Sequence, residues 1–498
     1  MEQKQEITTI SFLNTILQEV QNSEQTQEIK LPEGMPDIGH ILSAWGQPIL
    51  RSKEWRGDSV FFSGGMMVWV LYGPEDGSPE QCIDAWVPFQ MKWGIPEDVP
   101  EGDIRIQLLP RFVDARNVSP RKILVRTGLA ARAEAYVPRT VDTVLPGEVP
   151  EGVELLRMTY PVRLEKEAGE KTFLIDETLS LPESAPEPEQ VIYYRMLPRM
   201  TEGKVLSNKL VFRGNGNLHM LYRSREGQLH SWDFDLPFSQ FTQLGQEYGA
   251  DAQADLALTP TNLELEMSEE GNLRIKAGMV GQYVVSDKQM LELVEDAYSP
   301  GQELVLQEEE LELPVVLENR TETVRAEQAI PALANLTADV SFLPDFPRQK
   351  RRESEMALEM PGTFQVLYYG EDGALHAGTA RWEGNQTLWV DSGSQLQAVP
   401  GAAHAQGAAG NGQILAKAEY PMEITTSVTQ HFSMITAVKP GQPRQTDPSR
   451  PALILERAGD KGLWELAKAN NSTMDAIRKA NHLQADPQPG QMLLIPVS

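Results

Sequence analysis

Seven histidines, a single cysteine and 71 acidic residues are the groups on this 498-residue chain that could do chemistry. A metal site needs ligands at short, fixed spacings. His40, His219, His230, His376, His404, His431 and His482 show no such spacing. His219 and His230 could face each other across a hairpin, but no further ligand accompanies them. Cys82 stands alone, which excludes an intrachain disulfide and a thiolate cluster. It reads as a half-buried strand residue and not as a nucleophile. The signatures of a phosphate-binding loop, a zincin helix and a nucleophile elbow are missing. Gly214-Asn-Gly216-Asn lies between strand-like runs, with no helix after it to receive a pyrophosphate. Carboxylate pairs recur throughout so acidic a chain and single out nothing. The chain thus reads as a non-enzyme without metal or cofactor. A site gathered from distant residues would leave no mark on spacing, so an enzyme of unrecognised type stands as an alternative.

The bulk numbers narrow the partners. A net charge of −27 and a pI near 4.7 describe a solvated acidic surface. Such a field repels nucleic acid and anionic lipid and suits a basic protein partner. Apolar residues make up 41% and charged residues 23%, the balance of a globular protein, and the length allows about three or four domains. The first residues, Met-Glu-Gln-Lys-Gln-Glu, lack the basic start of a signal peptide. The most apolar run, residues 66–72, is far short of the ~20 residues of a membrane helix. The expectation is a protein made in, and kept in, a cytoplasm.

Positioning elements come from an internal repeat. Leu31-Pro32-Glu33 recurs as Leu181-Pro182-Glu183, 150 residues on. At the same offset Pro36 matches Pro186, Pro48 matches Pro198, and Phe62-x-Gly64 matches Phe212-x-Gly214. Leu71-Tyr72 with Gly77 matches Leu221-Tyr222 with Gly227. Ile123-Leu-Val-Arg-x-Gly128 matches Leu273-Arg-Ile-Lys-x-Gly278. A third, degenerate copy opens at Ile330-Pro331. It holds Val366-Leu367-Tyr368 with Gly373 and Ile414-Leu-Ala-Lys, but Glu419 stands where the others have Gly128 and Gly278. Its Ala/Gly-rich stretch, residues 401–412, reads as a flexible loop.

Each copy reads as β-rich. Trp232, Phe234 and Leu236 alternate with Ser231, Asp233 and Asp235, and Leu263, Leu265 and Met267 with Glu264 and Glu266. A period of two marks strands with one buried face. Glu-Asp-Gly at 75–77 and 371–373, and Arg-Glu-Gly at 225–227, read as hairpin turns. The tyrosine of the Leu-Tyr element reads as core. One short helix is expected at Ser286–Val294, where Ser286-Asp-Lys-Gln289 resembles a capping box and Pro300-Gly301 would stop the helix. The run Glu308-Glu309-Glu310 reads as the charged face of a strand. Residues 439–451, rich in proline, read as a linker.

The last stretch reads β-α-α-β. Leu453-Ile-Leu455 is a strand and Gly459-Asp460 a turn. Leu463, Trp464, Leu466 and Ala467 form the apolar face of one helix. Thr473 can cap a second, residues 474–481, and Met492-Leu-Leu-Ile495-Pro496 closes as a strand. This stretch closely resembles the LysM family, through Gly459-Asp460, Leu463-Trp464, Ala467, Ile477, Asn481, Pro489-Gly490-Gln491, Leu494 and Ile495-Pro496. The resemblance implies a groove that binds N-acetylglucosamine-containing glycan. By position the groove is formed by Gly459, Asp460, Lys461 and Gly462 on one loop and Leu483, Gln484, Ala485 and Asp486 on the other. Lys461-Gly462 replaces the family's usual Thr-Leu or Thr-Ser, which leaves glycan and protein both open as the ligand.

The repeats, with Leu-Pro-x₃-Pro-Asp-Ile at 31–38 followed by Leu-Tyr-x₄-Gly, resemble SPOCS domains of spore-forming bacteria. With a C-terminal LysM the architecture is similar to SipL-type spore-envelope morphogenesis proteins. The fold class expected is multidomain and mainly β, with tandem antiparallel repeats and a small α+β LysM domain. The divisions are 1–24, an N-terminal segment; 25–150, 151–322 and 323–438, the three repeats; 439–451, the linker; and 452–498, the LysM domain. The resemblance implies a scaffold of the spore coat, in the mother-cell cytoplasm at the forespore surface. Its expected partners are a spore-coat morphogenetic protein, peptidoglycan glycan chains, or both. Self-association through edge strands is open to it, and membrane insertion is not expected. The competing reading is a peptidoglycan-binding protein of the cell wall or cortex.

Overall fold

The computed structural model describes residues 8–96, 99–143, 149–268, 271–444, 451–458, 462–488 and 490–497. Its repeats are built almost wholly of antiparallel strands. In the first, β1 (Thr8–Lys30) pairs along its length with β6 (Lys122–Thr143), and β6 with β5 (Asp103–Ser119). The chain between them forms a meander of β2 (Ile38–Arg56), β3 (Ser59–Pro74) and β4 (Gln81–Gly94). The second repeat runs the same course. There β7 (Glu154–Leu179) pairs with β12 (Leu273–Tyr298), which pairs with β11 (Gln253–Met267). Its meander is β8 (Pro188–Leu206), β9 (Lys209–Ser224) and β10 (Leu229–Gln243).

The third repeat keeps the course with two strands broken. Its long pair is β13 (Gln302–Pro331) and β20 (Gln413–Pro443). The place of β2 is shared by β14 (Ala334–Pro344) and β15 (Arg348–Arg352), beside β16 (Glu355–Gly370) and β17 (Leu375–Trp389). The place of β5 is shared by β18 (Gln395–Pro400) and β19 (His404–Gly410). The break has a local cause. In the first two repeats the strand bulges after Pro110 and Pro260, opposite Gly128 and Gly278. A Cβ on Gly128 would lie 2.3 Å from the Phe112 ring, so glycine admits the bulge. Glu419 has a side chain at that place, and the chain leaves the ladder between Pro400 and His404 instead.

Two expectations need correction. Residues 401–412 are not a flexible loop: His404–Gly410 pair with β20, and only Asn411-Gly412 make the turn. Ser286–Val294 are not helical: they pair with β7. The apolar residues there alternate, Leu291 and Leu293 at 1% exposure against Met290 at 67%, which is a strand's period and outweighs the capping signal. The first sheet takes in residues from Thr8 onward, the third begins at Gln302, and β20 reaches Pro443. Residues 445–450 of the expected linker lie outside the described residues.

The hairpins turn at Gly77, Gly227 and Gly373, with φ of 74°, 86° and 75°. The shared Phe-x-Gly motif is a close approach of strands. A Cβ on Gly64 would stand 2.0 Å from the Ile49 carbonyl oxygen, and one on Gly214 would stand 2.3 Å from that of Arg199. Tyr72 and Tyr222 are buried, and Tyr72 donates its hydroxyl to the Pro36 carbonyl at 3.0 Å, holding the Leu-Pro-x₃-Pro loop. Arg121 donates to the Pro32 carbonyl of the same loop at 2.7 Å.

Each repeat packs its two sheets on a core of its own. Shared cores then bind the three together. One gathers Trp45, Trp69, Tyr193, Leu221 and Leu367 from all three meanders, with Trp45 stacked on Tyr193 at 4.3 Å. Another gathers Phe12, Leu164, Leu293, Leu313 and Phe432 from the long strands. Each repeat touches both others, so the three stand about a common axis.

Candidate functional site

In the C-terminal module β21 (Leu453–Arg457) and β22 (Met492–Pro496) pair antiparallel, with α1 (Leu463–Ala469) and α2 (Met474–Asn481) between them in sequence. The core is Leu463, Leu466, Ala467, Ile477, Leu493 and Ile495. So small a core needs polar ties. Thr473 caps α2 by accepting from the Ala476 amide at 3.0 Å. Asn481 accepts from the Leu494 amide at 2.7 Å and donates to its carbonyl at 2.6 Å, which fastens β22 to the end of α2. Asn470 does the same for β21, donating to Glu456 at 2.8 Å and to the Leu466 carbonyl at 3.0 Å.

The structure brings five of the eight expected groove residues into view. Gly462 is exposed, and its amide donates to the Glu465 carboxylate at 2.6 Å, opening α1. Leu483 is half-buried against the module's core. Gln484, Ala485 and Asp486 are exposed, and Asp486 lies 3.7 Å from Arg478. Gly459, Asp460 and Lys461 lie outside the described residues.

The module is seated on the second repeat through residues outside the expected groove. Trp464 donates its indole N–H to Asp296 at 2.8 Å, and Lys468 pairs with the same carboxylate at 2.6 Å. The Tyr298 ring meets Trp464 edge-on at 4.8 Å, and its hydroxyl donates to the Ser472 carbonyl at 2.9 Å. Arg444, past the end of β20, donates to Asn471 at 2.9 Å. None of these ties uses Gly462 or the 483–486 loop. Nothing in the local pattern around Asp296 and Tyr298 could have marked this seat, because its two sides are about 170 residues apart.

The histidines resolve individually. His219 stands opposite Asp233, while His230 stands opposite Tyr222, so the two do not face each other. His219 is buried between two carboxylates, with Nδ1 2.7 Å from Asp233 and Nε2 2.9 Å from Asp339 of the third repeat. Tyr193 also donates to Asp339, at 3.2 Å. Burial disfavours the imidazolium, but the Asp339 charge and both hydrogen bonds outweigh it and raise the pKa. His376 and His431 pair with Asp372 and Glu312 at the surface, and His482 ends α2 in a left-handed conformation. Among the described residues no group of three or more His, Cys, Asp or Glu could hold a metal. Cys82 is half-buried on β4, and burial pushes its thiol well up from its ordinary value, away from the thiolate a nucleophile needs. No helix of the described residues is long and apolar enough to cross a membrane.

Residues 187–267, the meander of the second repeat with β11, match the family model described as SipL, SPOCS domain, and residues 457–496 match the LysM domain. The chain thus combines a SPOCS domain with a C-terminal LysM. This is the SipL-like architecture, and it marks a sporulation-related protein carrying a module of the peptidoglycan-binding type. Both are binding domains and not catalytic ones. No curated protein and no solved structure matches the chain.

Proposed function

We propose that this chain is a non-enzymatic scaffold of the spore envelope, working in the mother-cell cytoplasm at the forespore surface. Its LysM groove, Gly459–Gly462 with Leu483–Asp486, docks it on a coat protein or on peptidoglycan. The observation that supports this is the seat of the module. Asp296 and Tyr298 hold α1, while Gly462 and residues 484–486 stay exposed. A module fixed through α1, with Gly462 and residues 484–486 left exposed, is suited to anchor the repeats at a defined orientation. In this reading each repeat, divided at 25–150, 151–322 and 323–438, is a structural unit of the scaffold and not a site of chemistry.

The test is recruitment. Deleting residues 453–498 abolishes localisation to the forespore surface while the repeats remain folded by circular dichroism; normal localisation of the truncated chain sinks the anchoring role. The LysM match itself favours the second reading, a glycan-binding protein of wall or cortex. Retention of the full chain on purified peptidoglycan, weakened by Gln484→Ala, supports that reading. Absence of retention together with binding to a purified coat protein supports the first.

A further inference from the structure

Where the three repeats meet, their axis holds a cavity of about 230 Å³. Equivalent segments of each repeat line it: those ending in Pro48, Pro198 and Pro344 from the meanders, and those ending in Pro110, Pro260 and Pro400 from the inner strands. Proline lacks an amide proton and so presents carbon and no donor. The wall is therefore largely apolar, and Leu258, Phe342 and Val399 add to it.

Three ionisable side chains interrupt that wall, Arg195, Arg199 and Glu423; Arg199 is exposed, and Arg195 is the buried cation of the three. Arg195 lines the cavity and is only 7% exposed. Its Nε is buried without a partner, and among the described residues the guanidinium makes no hydrogen bond and no ion pair. Asp339 lies near enough to feel its charge, but takes its hydrogen bonds from His219 and Tyr193. Buried guanidinium groups are ordinarily paired, because five donors lose their water together. The repeats supply an internal control. Three residues before the shared proline, the first copy has Trp45 and the third has Ser341. The fold thus does not require a cation at this position; only the second copy places one there, facing the cavity.

We propose that this axial cavity is a binding site for a small apolar carboxylate, its hydrocarbon body against the proline ring and its carboxylate on Arg195. The size fits a small ligand, below the roughly 300–1,000 Å³ of drug-sized pockets. The charge fits because an unpaired buried guanidinium is matched by a carboxylate, which takes two parallel hydrogen bonds from it. Glu423, which also lines the cavity, does not oppose such a guest. Burial, then the neighbouring Asp255 charge, pushes its carboxyl up, which favours its uncharged form beside such a guest.

The experiment is calorimetric titration of the full chain at pH 7 with three probes of one chain length: octanoate, octan-1-ol and octylammonium. Octanoate binds once per chain, octanol at least about tenfold more weakly, and octylammonium not at all. Arg195→Gln lowers octanoate affinity at least tenfold with the melting temperature little changed, Arg195→Lys restores part of it, and Ala402→Trp, which fills the cavity, blocks octanoate. Equal binding of octanol and octanoate, undiminished affinity in a folded Arg195→Gln chain, or no octanoate binding below its micellar limit overturns the proposal. If Arg195→Gln does not fold, the ratio of octanoate to octanol affinity on the unaltered chain decides it.

Discussion

Arg105 and Asp255 occupy the same place in successive repeats, exactly one repeat period apart, and form a two-pronged ion pair with each other at 2.7 and 3.0 Å. A position duplicated with the fold has become the two halves of its own interface. Arg105 also lies 3.7 Å from Glu134, which Arg132 holds at 2.6 Å. Removing one partner leaves the other charge buried. Asp255→Asn should therefore cost about 3 kcal/mol, the low end for a buried pair because Asp255 keeps some exposure. The double change Arg105→Met with Asp255→Leu should cost less than the single one. Urea unfolding of the three chains checks both; a single change within 0.5 kcal/mol of the parent, on the order of an ordinary surface substitution, counts against the interface.

Stability should fall as the pH rises from 5 to 8. His219 binds its proton more tightly folded than its ordinary 6.5. Glu165 does too: burial, then the charges of Glu134 and Asp255, push its carboxyl up to about 7 from 4.5. The folded state thus holds more protons than the unfolded chain in this window, and stability declines with pH. The contribution of Glu165 is complete below about 4.5 and is lost through 7. That of His219 is complete below 6.5 and is lost above it, with Asp233, Asp339, Tyr193, His404 and Arg195 as its charged or titratable surroundings. Melting temperatures should decline less steeply below pH 7 in Glu165→Gln and less steeply above it in His219→Gln, with the raised Glu423 carboxyl keeping part of the slope in both. Parallel curves for all three chains would falsify the assignment.

Gly64→Ala should destabilise by about 1–3 kcal/mol or more, as overpacking does. Its Cβ would meet a backbone oxygen at 2.0 Å, which cannot rotate away. Gly57→Ala is the control: the added Cβ there meets nothing within 4 Å, and its cost comes only from a φ of 54°. Chemical denaturation should rank Gly64→Ala below the control.

Asp296→Ala should loosen the module from its seat without unfolding either part. It removes the acceptor for Trp464 and the partner of Lys468, hydrogen bonds to a charged group of roughly 1.5–3 kcal/mol each before any readjustment. Hydrogen exchange should quicken in α1 and around Ser472 while the β2–β3–β4 meander keeps its protection. Unchanged exchange in α1 would show that the edge-on packing of Tyr298 suffices alone.

Sequence reading recovered what is local or periodic. The turns at Gly77, Gly227 and Gly373, the alternating strands and the β-α-α-β order of the module all rest on contacts within a few residues, and those residues carry the signal. The Ser286–Val294 stretch misled because a capping pattern is short and strand pairing is long-range: only β7, some 120 residues earlier, reveals it as a strand. The 401–412 stretch misled because alanine and glycine are poor strand formers that a long partner such as β20 can still enlist. The groove loop at 483–486 could be named from family resemblance, but its exposure could not, since that depends on Asp296 and Tyr298 holding Trp464, Lys468 and Ser472 instead. Arg195 was invisible for the same reason. One arginine among 44 basic residues gains meaning only when proline-ended segments of all three repeats line one cavity with it.

The arrangement about a common axis has a consequence for valency. A solenoid has two ends and can lengthen by one unit at a time. Three repeats that each touch both others form a ring, complete at three, with no open end to receive a fourth. Higher assembly must therefore begin from the outside of the ring or from the C-terminal module. Among the described residues each ring carries one such module. In the anchoring role proposed above, strong attachment to a surface then depends on gathering many chains, with avidity supplied by the crowd and not by the individual molecule.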